Sequence, residues 1–204
     1  MDGKGDRIAG NALIAAAALI VLMMAHHPTG TGGGMGQFVH GVLIVLVGVT
    51  IYGLAHLALR RGIARPDVLA GAVAYAIGAM GSIGAGTING FVVPALAAHE
   101  GLDRGPFVFA WEANQALAWL GVIATGAAFA LWSLGLVRAN GWPRAIGVLG
   151  LVAGAAPVAL LASGAVRMNV TGAILVYSTH ALWIAAAGLW LRNGRFEADR
   201  ARLV

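Results

Sequence analysis

The chain has 204 residues, of which 59% are hydrophobic and 10% are charged. Soluble globular domains carry about 25% charged residues, so this composition excludes an ordinary water-soluble protein. The absence of cysteine excludes disulfides, thiolate metal sites, iron–sulfur clusters and thiol catalysis. The net charge of +5 comes from arginines at the ends of apolar segments, which is typical of membrane orientation signals and not of nucleic-acid binding.

Six apolar segments fill most of the chain. Each is long enough to cross a hydrocarbon layer of about 30 Å at about 1.5 Å of rise per residue. The connections between them are short, so consecutive helices are expected to lie antiparallel beside one another. The sequence predicts an all-α, six-transmembrane-helix bundle that forms a single integral membrane domain over 1–204, with helices at 8–25, 37–59, 68–96, 107–137, 143–164 and 169–191.

The basic residues are divided unequally between the two sides of this predicted bundle. Arg104 and Arg167 fall on one side, and the other eleven basic residues fall on the opposite side. Because cytoplasmic loops are enriched in lysine and arginine, both termini are predicted to be cytoplasmic. The residues on the predicted cytoplasmic side are Lys4, Arg7, Arg60, Arg61, Arg65, Arg138, Arg144, Arg192, Arg195, Arg200 and Arg202.

Histidines concentrate on the predicted outer side. Imidazole is the commonest metal ligand, and a polar side chain at membrane depth is expected to face protein or a water-filled cavity. His40 enters helix 2 by about one turn, and His180 lies roughly 16 Å below the start of helix 6. We predict that both face the bundle interior as cofactor ligands, with His27 or His99 closing the site from above. The alternative is that each histidine only hydrogen-bonds a neighbouring helix.

Glu112 is the carboxylate expected to face this site. With Gln115 and Trp119 it forms a stripe along one face of helix 4. Two neutral imidazoles could ligate a b-type haem, whereas imidazoles with a carboxylate would suit a divalent metal such as zinc or copper. In the alternative interpretation Glu112 is solvated or paired with an arginine. The predicted metal ligands, between helices 2, 4 and 6, are His27, His40, His99, Glu112 and His180.

Small residues, prolines and tryptophans give further expectations about packing. Gly86 with Gly90, and Gly150 with Gly154, are spaced as small residues that let membrane helices approach closely. Pro94 is expected to bend the end of helix 3. The six tryptophans lie mostly near predicted helix ends, which favours interfacial anchors.

Several of these features together resemble a group of small bacterial multi-pass membrane proteins of unknown function, the DUF4386-like type. The likeness covers most of the chain and is carried by His27-Pro28, His40 early in helix 2, the segment INGFVVPAL at 88–96 and the arginine–proline turns. The resemblance implies a helical protein of the bacterial inner membrane. It transfers no catalytic residue.

Three classes of function compete at this point. Small residues and few intramembrane acids favour an accessory or structural subunit that packs on other membrane proteins or on itself. The histidines and Glu112 favour a metal- or haem-binding protein or redox enzyme with an outward-facing site. A small transporter is the third class, although the inner half of the predicted bundle lacks a polar path. The lipid bilayer is a partner in all three.

Overall fold

A computed structural model describes residues 3–27, 33–194 and 196. A π-helical segment, Ile88–Val92, connects the α-helix that ends at Thr87 to the α-helix that begins at Val93, so this stretch forms one continuous span. Six helices of the described chain are long and apolar enough to cross a membrane, which confirms the predicted all-α fold. The α-helices are α1 (Gly3–Ala25), α2 (Gly33–Arg61), α3 (Pro66–Thr87), α4 (Val93–Ala97), α5 (Gly105–Leu134), α6 (Trp142–Ala162) and α7 (Val170–Arg192).

Local sequence signals explain most helix starts. A proline occupies the first turn of α3, α5 and α6, where its missing N–H would have no partner within the helix. Asn169 caps α7, because its side-chain oxygen accepts a hydrogen bond from the Gly172 N–H at 2.9 Å. By contrast, α1 begins at Gly3 and α2 at Gly33, earlier than the predicted starts at 8 and 37. Lys4, Asp6 and Arg7, which were predicted to precede helix 1, are therefore helical.

The six spans form a closed ring in which each span packs on the next, and α7 returns to pack along α1. Glycines allow the closest approaches. A Cβ on Gly10 would lie 2.5 Å from the Gly188 carbonyl oxygen, and a Cβ on Gly81 would lie 2.7 Å from the Gly121 nitrogen. Close helix packing at the predicted glycines is confirmed for Gly90, Gly150 and Gly154, since a Cβ on each would overlap a neighbouring element. A Cβ on Gly86 would make only an ordinary contact with Ile44 at 3.5 Å, so close packing does not require glycine there.

An aromatic layer fills the middle of the ring. The Phe129 and Trp183 ring centroids are 4.2 Å apart, and the Trp132 and Trp183 centroids are 5.9 Å apart. Tyr75 packs on both Phe129 and Trp132, and its hydroxyl lies 2.6 Å from the Thr50 hydroxyl. The expectation of interfacial anchors is wrong for Trp132, Trp183 and Trp190, which are fully buried. These indoles gain more from packing against other rings than from the interface.

The two ends of the ring differ in chemistry. The arginine end contains the start of α1 and the last turn of α2. The histidine end contains the last turn of α1 and the start of α2. The orientation of these ends across a membrane stays a prediction. Three of the basic residues on which it was based, Arg195, Arg200 and Arg202, lie outside the described residues, as does Pro28.

A buried ion cluster connects α1 and α2 at the arginine end. Asp6 is 1% exposed, and its carboxylate accepts hydrogen bonds from His56 Nε2 at 2.8 Å and from Arg60 Nη2 at 3.0 Å. Arg60 also places Nε 2.9 Å from the same carboxylate and packs over the Phe196 ring. This contact explains why α1 begins before the predicted boundary, because Asp6 is fixed by α2 and is not part of a solvated tail.

Candidate functional site

The site begins with a break in helical geometry at Ile88–Val92. Pro94 has no N–H, and its ring would clash with the carbonyl of Gly90 in a regular α-helix. The chain instead forms a π-helical turn, in which the Val93 N–H donates to the Ile88 carbonyl. The π-helical turn directly before Pro94 is the local irregularity that the structure shows, and the predicted bend stays a prediction. The π-helical turn carries Asn89 and Gly90 to the histidine end of α2.

Gly90 determines how closely the π-helical turn approaches α2. A Cβ at this position would lie 2.5 Å from the Cβ of His40, so only glycine fits without displacing one of the two segments. His40 is 6% exposed and faces the bundle interior, as predicted. The backbone of the π-helical turn at Gly90 therefore packs directly against the His40 side chain.

His27 and His40 meet directly at this end of the bundle. Their Nε2 atoms are 3.2 Å apart, and the two rings are nearly perpendicular with centroids 4.8 Å apart. His27 follows the last turn of α1, and His40 lies in the second turn of α2. The structure therefore brings together two of the five predicted metal ligands.

Hydrogen bonding fixes the tautomer of His40. Its Nδ1 lies 2.7 Å from the Gly36 carbonyl oxygen, an atom that can only accept, so Nδ1 carries the proton. In the neutral ring, Nε2 of His40 then presents a lone pair toward His27, and His27 Nε2–H donates to it. A backbone carbonyl thus orients the ring and leaves its other nitrogen as a base.

A cavity of about 110 Å³ lies beside this histidine pair, inside the ring of helices. None of its described lining residues carries a carboxylate, an ammonium or a guanidinium group. The lining is formed by α1, α2, α3, the π-helical turn, α5, α7 and the connection before α7. The polar and sulfur-containing residues that line it are Met24, His27, His40, Ser82, Asn89, Asn114, Met168 and Tyr177.

The amide of Asn114, one of the neutral polar groups at the cavity, is hydrogen-bonded on both sides. Its Nδ2 donates to the Ala85 carbonyl at 2.8 Å, and Gln115 Nε2 donates to its side-chain oxygen at 3.3 Å. Ser82 and Tyr177 also line the cavity. The contact between Asn114 and Ala85 connects α5 to α3 at the cavity wall.

The other three predicted ligands lie elsewhere. His180 is 5% exposed and faces inward as predicted, but it packs against Phe129 in the aromatic layer, and its Nε2 has no hydrogen-bond partner among the described residues. His99 is exposed, and its Nδ1 donates to the Ala95 carbonyl. Glu112 is exposed, so the expectation that it faces the bundle is wrong. Within the described ranges, no three histidine or acidic side chains converge as metal ligands.

The interior face of α5 carries Asn114 and not Glu112. Glu112 and Asn114 are two residues apart, which places them about 200° apart around a helix. Asn114 lies on the face that also carries Ala110, Ala118 and Gly121, all of them buried. This run of small residues is the signal that could have identified the interior face, because helices in a bilayer approach one another through small side chains.

Comparison with protein-family models, with curated proteins and with solved structures gives no match to this chain. The resemblance to the DUF4386-like group therefore stays a prediction. What the chain does has to be inferred from its own geometry.

Proposed function

We propose that this integral membrane protein binds a transition-metal ion between His27 and His40. The observation that carries the proposal is the 3.2 Å separation of the two Nε2 atoms. Two nitrogens bound to one tetrahedral metal at about 2.1 Å lie roughly 3.4 Å apart. An ion can therefore replace the shared proton with a small displacement of either ring, once His27 presents a lone pair at Nε2.

The hydrogen bond from His40 to Gly36 supports the same proposal. A metal-ligating histidine commonly donates its other ring N–H to a carbonyl or carboxylate, which fixes the ring and raises the basicity of the ligating nitrogen. His40 already has this arrangement through Nδ1 at 2.7 Å. The geometry does not favour a b-type haem held by this pair, because a porphyrin plane would have to lie between two nitrogens that are in hydrogen-bond contact.

The other two classes of function have less support. A transporter needs a polar path through the bundle, and the aromatic layer of Tyr75, Phe129, Trp132 and Trp183 fills its middle. An accessory subunit needs a distinct partner surface, whereas exposed apolar side chains occur on all six spans, as lipid contact requires. The accessory-subunit interpretation stays a prediction.

Metal binding to the detergent-purified protein tests the proposal. Wild-type protein is titrated with Zn(II) and, under reducing conditions, with Cu(I), each in competition with a chromophoric chelator. Since each substitution removes one of two nitrogen ligands, His27→Gln and His40→Gln should each weaken binding of at least one metal by about tenfold or more. His99→Gln and Glu112→Gln are matched controls at predicted ligands that lie outside the cavity, and they should bind as wild type does. Failure of the wild-type protein to bind either metal would refute the proposal.

We also propose that the histidine end faces away from the cytoplasm in the bacterial inner membrane, with both termini cytoplasmic. The support is the unequal distribution of basic residues, of which Arg60, Arg61 and Arg65 lie at the arginine end. Reporter fusions after Gly34 and Gly101 should then be periplasmic, and a fusion after Gly62 should be cytoplasmic. A cytoplasmic signal from Gly101 would reverse the orientation.

A further inference from the structure

We propose that the ion is monovalent copper and that Met24 and Met168 complete its coordination with thioether sulfur. This inference rests on the proposed function, because it needs the ion to lie between His27 and His40. It adds the identity of the metal and two further ligands. Both methionines line the cavity beside the histidine pair.

Met24 reaches the cavity from the same helix end as His27. His27 follows the last turn of α1, and its backbone N–H donates to the Met24 carbonyl at 3.2 Å, so the two residues are neighbours at this end of the helix. Met24 is 3% exposed. A thioether at this position is shielded from lipid and from bulk solvent, so a sulfur ligand is available inside the site.

Met168 enters the cavity from the connection between α6 and α7. Its backbone carbonyl accepts a hydrogen bond from Gln115 Nε2 at 3.3 Å, and the same amide nitrogen donates to Asn114. Gln115 thereby holds the connection against α5. The Met168 side chain lines the cavity and also packs against Val122, Leu161 and Val176, and its unbranched stem lets the sulfur adjust to an ion.

The types of ligand in the cavity favour a soft metal. Thioether sulfur binds Cu(I) well, imidazole suits copper and zinc, and carboxylates are the usual ligands of magnesium, calcium and manganese. The described lining offers two imidazoles and two thioethers, and no carboxylate. The Asn114 amide is engaged with the Ala85 carbonyl and with Gln115, so its nitrogen and oxygen already have partners.

The charge of the cavity favours a monovalent ion. In the Born description the cost of desolvation grows with the square of the charge, so a divalent ion costs about four times as much as a monovalent ion of equal size. Sites for divalent ions commonly offset this cost with negatively charged ligands. Every described residue that lines this cavity is neutral when its histidines are neutral. The neutral lining therefore penalises Zn(II) more than Cu(I).

The test compares two metals in three methionine variants of the full chain. Met24→Leu and Met168→Leu remove sulfur at nearly constant side-chain volume, so both variants are expected to fold. Met80→Leu is the matched control, because Met80 is 72% exposed on α3 and lies outside the cavity lining. Cu(I) affinity is measured anaerobically against a chromophoric Cu(I) chelator, and Zn(II) affinity against a fluorescent zinc chelator. X-ray absorption at the copper edge reports sulfur neighbours directly.

We expect wild-type protein to bind Cu(I) more tightly than Zn(II). Met24→Leu and Met168→Leu should each weaken Cu(I) binding by about tenfold or more and leave weak Zn(II) binding within about twofold, since sulfur selects the soft ion. The copper-edge spectrum should show sulfur near 2.3 Å, a distance typical of metal–sulfur bonds, and the double methionine variant should lose it. Met80→Leu should behave as wild type in every measurement.

Two results would overturn this inference and leave the proposed function standing. One is Zn(II) binding that depends on His27 and His40 and is as tight as Cu(I) binding. The other is Cu(I) binding that depends on the histidines but not on either methionine, with only nitrogen or oxygen neighbours in the spectrum. Metal binding that survives both histidine substitutions, or no binding at all, would refute the proposed function together with this inference.

Discussion

The two ends of the α1–α2 pair each contain a part-buried histidine contact, and the partners differ. At the arginine end, His56 donates to the carboxylate of Asp6, which also binds Arg60. At the histidine end, His27 meets the neutral ring of His40 beside a cavity with neutral walls. At the arginine end, the Asp6 carboxylate is occupied by hydrogen bonds from His56 and Arg60. The histidine end holds two nitrogens at a separation that one metal ion can bridge.

Because of this difference, we expect one end of the α1–α2 pair to contribute mainly to stability and the other end mainly to ligand binding. Removing one partner from a buried ion cluster leaves an uncompensated charge, so the arginine end is expected to be sensitive to substitution. A pair of neutral imidazoles costs less to bury and less to separate. The comparison predicts large losses of stability at one end and losses of affinity at the other.

Substitution of Asp6 should have the largest effect on stability. Asp6→Asn removes the buried carboxylate charge that faces both the Arg60 guanidinium and the His56 imidazole, and breaking a buried ion pair typically costs about 3–5 kcal/mol. We expect a loss of this size in the free energy of unfolding, measured by titration with SDS in mixed micelles. Metal binding at the opposite end should be unchanged in the molecules that remain folded.

Asp67→Asn is the control for the same end of the bundle. Asp67 contacts Arg65 at 3.2 Å and Arg61 at 3.8 Å, and its side chain is 25% exposed. Arg65 is 39% exposed, and the buried Arg61 is 3.8 Å from Asp67 and keeps its hydrogen bond to the Trp132 carbonyl, so this substitution should cost less than Asp6→Asn does. Equal losses for Asp6→Asn and Asp67→Asn would show that burial of the Asp6 cluster has no special importance.

Substitution of Gly90 should have a smaller effect on stability and a direct effect on the site. In Gly90→Ala the new methyl group must displace the Cβ of His40, and overpacking of this kind typically costs about 1–3 kcal/mol. The shift of His40 should also weaken metal binding. Unfolding titrations and the chelator competition measure the two effects on one preparation.

Gly48→Ala provides the comparison on α2. A Cβ on Gly48 would meet nothing within 4 Å, so alanine there should be neutral or slightly stabilising, by less than about 1 kcal/mol. It should leave metal affinity at the wild-type value. If Gly90→Ala also left both stability and affinity unchanged, the close packing of the π-helical turn on α2 would not control the site.

The predicted inward orientation is confirmed for His40 and His180 and is wrong for Glu112, and both outcomes have physical causes. The inward orientation of His40 and His180 follows from the cost of exposing imidazole to lipid. The separation of these two residues could not be read from the sequence, because helical periodicity does not say which helices share a cavity. Glu112 was predicted to face inward from its stripe with Gln115, whereas the small-residue face of α5 carries Asn114.

The sequence by itself determined the number of spans, their approximate bounds and the class of fold, because hydrophobic length and short connections leave few other arrangements in a bilayer. Only the tertiary structure decided that Asp6 belongs to a buried cluster, that Trp132 and Trp183 are core residues, and that His27 meets His40. These outcomes depend on the closed ring of helices and on the π-helical turn before Pro94. Contacts between residues on different helices are set by the packing of those helices, which no single segment encodes.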